Sequence, residues 1–164
     1  MTSILKVDNI QNSSGTSAIS IDSNGVVKQP QLPHVAVDFG ATDGSGTFIS
    51  SGSNAVLPFD NVYEGDTSLW NTSTYKFTAP VTGVYMLAIG LLNDGGATID
   101  IDVYVNGTRV LRQGQASSGR YGKFSLAKKL TANDVVHFAT AQSDNYHADT
   151  GTTRHSFATI TLLG

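Results

Sequence analysis

Hydrophobic and polar positions along this chain repeat mostly with a period of two, the spacing of a strand with one buried face. Val35, Val37 and Phe39 alternate with Ala36 and Asp38. Residues 98–105 alternate strictly. Ile99, Ile101, Val103 and Val105 point inward, and Thr98, Asp100, Asp102 and Tyr104 point outward. Asn106-Gly107 follows, a pair suited to the positive φ angles of a two-residue hairpin turn. Residues 84–92 are almost continuously apolar, as in a central strand buried on both faces. Further strands are predicted over 56–63 (bent, or at an edge, because of Pro58), 75–77, 108–112, 121–130, 135–139 and 156–163. Residues 41–54, 65–74 and 142–153 are predicted as loops. Eight to ten strands at regular spacing in about 130 residues predict an all-β fold, a β-sandwich or a jelly roll.

Residues 1–30 depart from this pattern. They carry scattered aliphatics and no aromatic residue. Ile19 and Ile21 point one way in a short strand, and Ser23-Asn24-Gly25 marks a turn. So few apolar groups cannot bury a core alone. The segment is therefore expected to pair with other chains, dock on a partner or stay mobile. The proline-bounded stretch 29–33 reads as extended. The organisation predicted is an arm (1–30), a linker (31–33) and a head (34–164).

Composition strengthens the all-β assignment. The chain has 164 residues, and of its 13 acidic residues 12 are Asp and only Glu64 is Glu. Asp, with abundant Gly, Ser, Thr and Asn, favours turns over helices. No cysteine is present, which excludes disulfides, thiolate metal sites and thiol catalysis. The net charge of -3 gives no reason to expect nucleic-acid binding. No apolar run approaches the length of a membrane span, and residues 1–10 lack the apolar region of a signal peptide.

Candidate chemistry is sparse. Asp100 and Asp102 share a strand face with Asp94 nearby, which suits Ca²⁺ if the carboxylates converge and otherwise is a solvated outer face. No other cofactor is expected. Asp144, Asn145, His147 and Asp149, with His155, form a polar loop suited to contacting a ligand. Nothing in the spacing of His147 and His155 aims them at one metal. Trp70 with Tyr63, Tyr75 and Tyr121 is either core or a sugar-stacking platform. Arg109, Arg112, Arg120, Lys123, Lys128 and Lys129, from neighbouring strands, are either a patch for anionic glycans or a solvated face. Catalysis fails on inventory: there is no nucleophile elbow, phosphate loop or placed carboxylate pair, so no enzyme is expected.

Several blocks carry a resemblance. Phe59-Asp60-Asn61-Val62, Lys76-Phe77-Thr78-Ala79-Pro80-Val81-Thr82-Gly83-Val84-Tyr85, Val103-Tyr104-Val105-Asn106-Gly107 and Leu130-Thr131-Ala132-Asn133-Asp134-Val135 together resemble, in order, the globular head of the C1q/tumour necrosis factor superfamily. Asn133 replaces the usual Gly of the last block, and Asn also tolerates positive φ. The resemblance covers residues 34–164 and implies a jelly roll that assembles as a homotrimer. The N-terminal run from Ile4 to Asn12, followed by Ser14 to Ile19, resembles a leader of tailed-phage virion proteins. It implies attachment through Ile4, Leu5, Val7, Ile10, Ile19 and Ile21. There is no Gly-X-Y stalk of the animal relatives. The function implied is a trimeric fibre, appendage or capsid-decoration protein, located in the virion. It would contact other virion proteins and present its head for host-surface adhesion, to a glycan or receptor, or for particle stabilisation. The alternative is a soluble carbohydrate-binding lectin of the same fold.

Overall fold

The computed structural model describes residues 7–29, 32–40, 48–51, 54–93, 99–115, 121–141, 144–148 and 153–163. The chain divides into two compact units, Met1–Leu32 and Pro33–Gly164. The first is a three-stranded antiparallel sheet, β1 (Asn9–Gln11), β2 (Ser17–Ile21) and β3 (Val27–Lys28), in that order. Its two turns close on themselves. Asn12 Oδ1 accepts from the Ser14 and Thr16 amides, and Asp22 Oδ1 from those of Asn24 and Val26. These bonds draw the Asp22 carboxyl below its ordinary pKa.

The second unit contains β4 (His34–Asp38), β5 (Phe48–Ser51), β6 (Asn61–Gly65), β7 (Trp70–Asn71), β8 (Lys76–Thr78), β9 (Gly83–Leu92), β10 (Ile99–Val105), β11 (Thr108–Gln115), β12 (Tyr121–Leu130), β13 (Val135–Thr140), β14 (Asp144–His147) and β15 (Phe157–Leu162). A 3₁₀ turn, Thr67–Leu69, is capped by Asp66. Two five-stranded antiparallel sheets face one another, a jelly-roll sandwich as predicted. The front sheet runs β12-β9-β15-β4-β6 and the back sheet β11-β10-β13-β8-β7.

The core lies between them. Leu87, Ile89, Val37 and Ile160 come from the front, and Phe77, Ile101, Val103 and Phe138 from the back. Each such burial contributes roughly 1.5–3 kcal/mol. Phe39 stacks on Phe59 at 4.4 Å, and Trp70 and Phe138 meet Phe59 edge-on at 6.5 Å. The Trp70 indole donates to the Phe59 carbonyl at 2.9 Å. Trp70 is therefore core, and no sugar platform forms around it.

One end of the sandwich is tied by three turns. Asn106 and Gly107 take φ of 51° and 78°, and Asn133 takes 72°. Asn106 Nδ2 donates to Asp134 Oδ1 at 2.8 Å, while its Oδ1 accepts from the Val135 amide at 2.9 Å. Asp134 Oδ2 accepts from the Thr131 amide. The Thr131 amide, then the Asn106 amide, hold the Asp134 carboxyl below the usual carboxylate range. Asn133 and Asp134 also exchange backbone hydrogen bonds with Ala79.

Four expectations change. Residues 144–147 are a strand, not loop: β14 pairs with β5, itself inside another predicted loop. Tyr146 anchors it by burying its ring 6.5 Å from Phe39. Residues 56–63 do not form one strand. Val56 makes an isolated bridge to Ala139, and β6 begins only at Asn61, beyond Pro58. The run at 84–92 is not buried throughout on both faces, because Val84 is exposed and Met86 and Ala88 are half-buried. Asp102 is fully buried rather than solvated.

Candidate functional site

The outward face of the front sheet is a flat grid set by strand register. Three rows cross β12, β9, β15 and β4. One is Lys123, Gly90, Phe157 and Asp38, the next Ser125, Ala88, Thr159 and Ala36, and the third Ala127, Met86, Thr161 and His34. The middle row holds only small side chains: Ser125 is exposed, Ala88 and Thr159 are half-buried, and Ala36 is already buried within the chain, so another surface can approach the backbone closely over the first three. Phe157 lies down over Gly90, where a Cβ would meet its ring carbons at 3.1 and 3.2 Å. Beside it opens a depression of about 440 Å³ bordered by Ala88, Lys123, Ser125 and Phe157. Tyr121 is 58% exposed and Phe157 is exposed near it, while Val84 and Leu163 are exposed at the opposite end of β9. The face mixes apolar Ala88, Met86, Ala127 and Phe157 with Lys123, Ser125, Thr159, Thr161, His34 and Asp38, and the depression beside Phe157 is its apolar part.

The polar end of the face is closed by the chain itself. Asp38 is buried and accepts from Arg154 Nε at 3.0 Å, Asn61 Nδ2 at 2.7 Å and the Gly40 amide at 3.1 Å. The Arg154 guanidinium also lies 3.9 Å over the Tyr63 ring. His34 Nδ1 meets the Thr161 hydroxyl at 2.7 Å.

The back sheet's outward face is finished differently. Arg112 makes two hydrogen bonds to Asp102, Nε to Oδ1 at 2.8 Å and Nη2 to Oδ2 at 2.7 Å. Arg109 adds an ion pair at 3.6 Å. The Asp102 hydrogen bonds raise the Arg112 pKa further above its ordinary value. Next along the face, His137 stacks on Tyr104 at 4.8 Å with the rings 5° from parallel. Burial, then the Lys76 charge, push the His137 pKa below its ordinary value.

These contacts sort the sequence candidates. Both Asp102 oxygens are engaged by Arg112, so a cation of the chain already neutralises this carboxylate. Asp100 is half-buried, and Gly114 leaves it room: a Cβ there would sit 2.6 Å from Asp100 Oδ1. Asp94 and Asp149 lie outside the described residues. Among the described residues, no group of three or more His, Cys, Asp or Glu could hold a metal. Asn145 and His147 stand with Asp144 on a strand rather than a loop. His147 and His155, which sequence spacing did not bring together, have ring centroids 5.6 Å apart. The basic residues form no single patch, since β11 and β12 belong to different sheets. Arg120 lies outside the described residues.

In the arm, Val7, Ile10 and Ile21 are exposed and Ile19 is half-buried. Ile4 and Leu5 lie outside the described residues.

The C1q domain model matches residues 43–160, more than half of the chain. No curated protein sequence matches it. Among solved structures, Eiger TNF from S. frugiperda superposes with a TM-score of 0.62 at 14% identity, covering 81% of this chain and 93% of that one. The globular domain of zebrafish complement 1qA protein gives 0.56 at 14% identity, covering 80% and 98%. Murine APRIL gives 0.58 at 11% identity, covering 81% and 100%. These likenesses are similarities of fold.

Proposed function

Since the chain belongs to the C1q domain family, we propose that it is a homotrimeric binding and assembly protein of a tailed-phage virion. Residues 1–30 form its attachment arm and residues 34–164 its presented head. The observation that carries the trimer is the front-sheet grid. Its middle row of Ser125, Ala88, Thr159 and Ala36 is bordered on β9 and β15 by Met86 and Phe157, and Tyr121 stands exposed further along β12. Copies packed on this face would remove apolar surface from water at about 25 cal/mol per Å². They would also cover Val84, which is exposed, and Met86 and Ala88, which are half-buried within one chain.

The virion assignment is supported by the likeness of the N-terminal run to phage leaders. The head then acts by contact, adhering to a host glycan or receptor or stabilising the particle as a short appendage or capsid decoration. Catalysis plays no part in this reading.

Sedimentation velocity at micromolar concentration tests the assembly, and the expected species is a trimer. Mass spectrometry of purified particles tests the location, and the chain is expected among the virion proteins. A trimer absent from all particles that binds sugars on a glycan array would replace this reading with a soluble lectin.

A further inference from the structure

The arm sheet has two unlike faces. Ile10 stands directly opposite Ile19, and Ile21 opposite Val27. Ile19 and Ile21, two apart on β2, share a face, so all four aliphatics lie on the same side. The other side carries Asn9, Ser20 and Lys28 in one row, with Lys28 ion-paired to Asp22 at 3.3 Å. The self-closing turns hold the strands in register. Yet Ile10 is 49%, Ile21 40% and Val27 59% exposed. A three-stranded sheet needs its apolar face covered to be stable.

We infer that the arms of three copies cover one another, packing Ile10, Ile19, Ile21 and Val27 against a common three-fold axis and turning Asn9, Ser20 and Lys28 outward. This rests on the homotrimer proposed above. It assigns Ile10, Ile19 and Ile21 to contacts between copies rather than to contacts with the particle. The size of the face selects the occupant. Four aliphatic side chains expose a few hundred Å² at most, against the roughly 800 Å² per partner of a stable independent complex. A free partner would therefore bind too weakly. Copies already joined through their heads meet at an effective concentration on the order of millimolar, where so small a face suffices. The particle then meets a three-sided bundle with a polar exterior.

The absence of cysteine makes the test clean. Ile19→Cys and Ser20→Cys, introduced separately into the full chain, place one thiol on either face. A short bis-maleimide should join Ile19→Cys chains in high yield, unchanged by ten-fold dilution, and Ser20→Cys chains several-fold less. Equal cross-linking of the two faces, or none from Ile19→Cys in a preparation that sediments as a trimer, overturns the inference and leaves the head trimer standing. A monomer by sedimentation overturns the trimer itself. An Ile19→Cys thiol that takes up maleimide singly without linking copies in the isolated trimer, and is shielded only in purified particles, gives the face to another virion protein, which also overturns the inference.

Discussion

The front and back sheets of the head follow the same inward–outward alternation, yet their outer faces end differently. On the back, the groups at risk are finished inside the chain: Arg112 and Arg109 close over Asp102, and Tyr104 covers His137. On the front, Ser125, Ala127 and Phe157 are exposed and Met86, Ala88 and Thr159 half-buried, while Ala36 is buried and Asp38 is closed by Arg154 and Asn61. A face finished by ion pairs needs no second copy. A face with exposed Phe and small Ala, Ser and Thr is where the proposed trimer would pack.

The comparison can be broken first at Ala88, in the middle of the front grid. Ala88→Arg places a charge where copies would meet, and burying an unpaired charge should weaken association by roughly 100-fold or more. Sedimentation should show a monomer, and the melting temperature should lose its dependence on protein concentration. A trimer that survives Ala88→Arg would place the contact elsewhere.

Arg112→Ala probes the back sheet and should do the reverse. It strands a buried carboxylate, so the melting temperature falls while the trimer persists. Arg109→Ala, removing only the 3.6 Å pair, should cost less than half as much in the same thermal scan.

Gly90→Ala is a finer probe of the front. The added Cβ lifts the Phe157 ring from its seat, so association should weaken by about ten-fold with little change in fold stability.

The smallest effect is expected at His137. Its folded pKa lies below the ordinary 6.5, so its neutral form is favoured in the native state. The stability it contributes is complete above the unfolded value of 6.5 and is lost as pH falls through the lower folded value. His137→Gln should flatten the melting temperature below pH 6.5 and leave it unchanged above.

Alternation made the sandwich legible in the sequence, because one face of each long strand is buried. It also located the turns at Asn106-Gly107 and Asn133, where positive φ selects few residues. It misread Asp102 because of one residue. A two-residue hairpin without irregularity would set Asp102 opposite Leu111. The register shifts between Val103 and Tyr104, leaving Val110 as the extra residue and bringing Arg112 opposite Asp102. No composition signal announces such a bulge. Strand β14 was obscured for another reason: Asp144, Asn145 and His147 are turn-forming or polar types, and their partner β5 lies far back in the chain. The nearness of His147 and His155 likewise depends on chain return, which spacing cannot report. The front-face grid needed the registers of four strands before its row of small residues could be seen.

The tie at the turn end also bears on chemical lifetime. An asparagine followed by glycine is where a side-chain amide is most open to attack by the next backbone nitrogen, slowly converting the residue to aspartate. Here both amide atoms of Asn106 are held, one by Asp134 and the other by Val135. The contacts that shape the hairpin thereby restrain the amide from turning toward that nitrogen, and the fold guards this one of its two Asn-Gly dipeptides, the other being Asn24-Gly25, for as long as it stays folded.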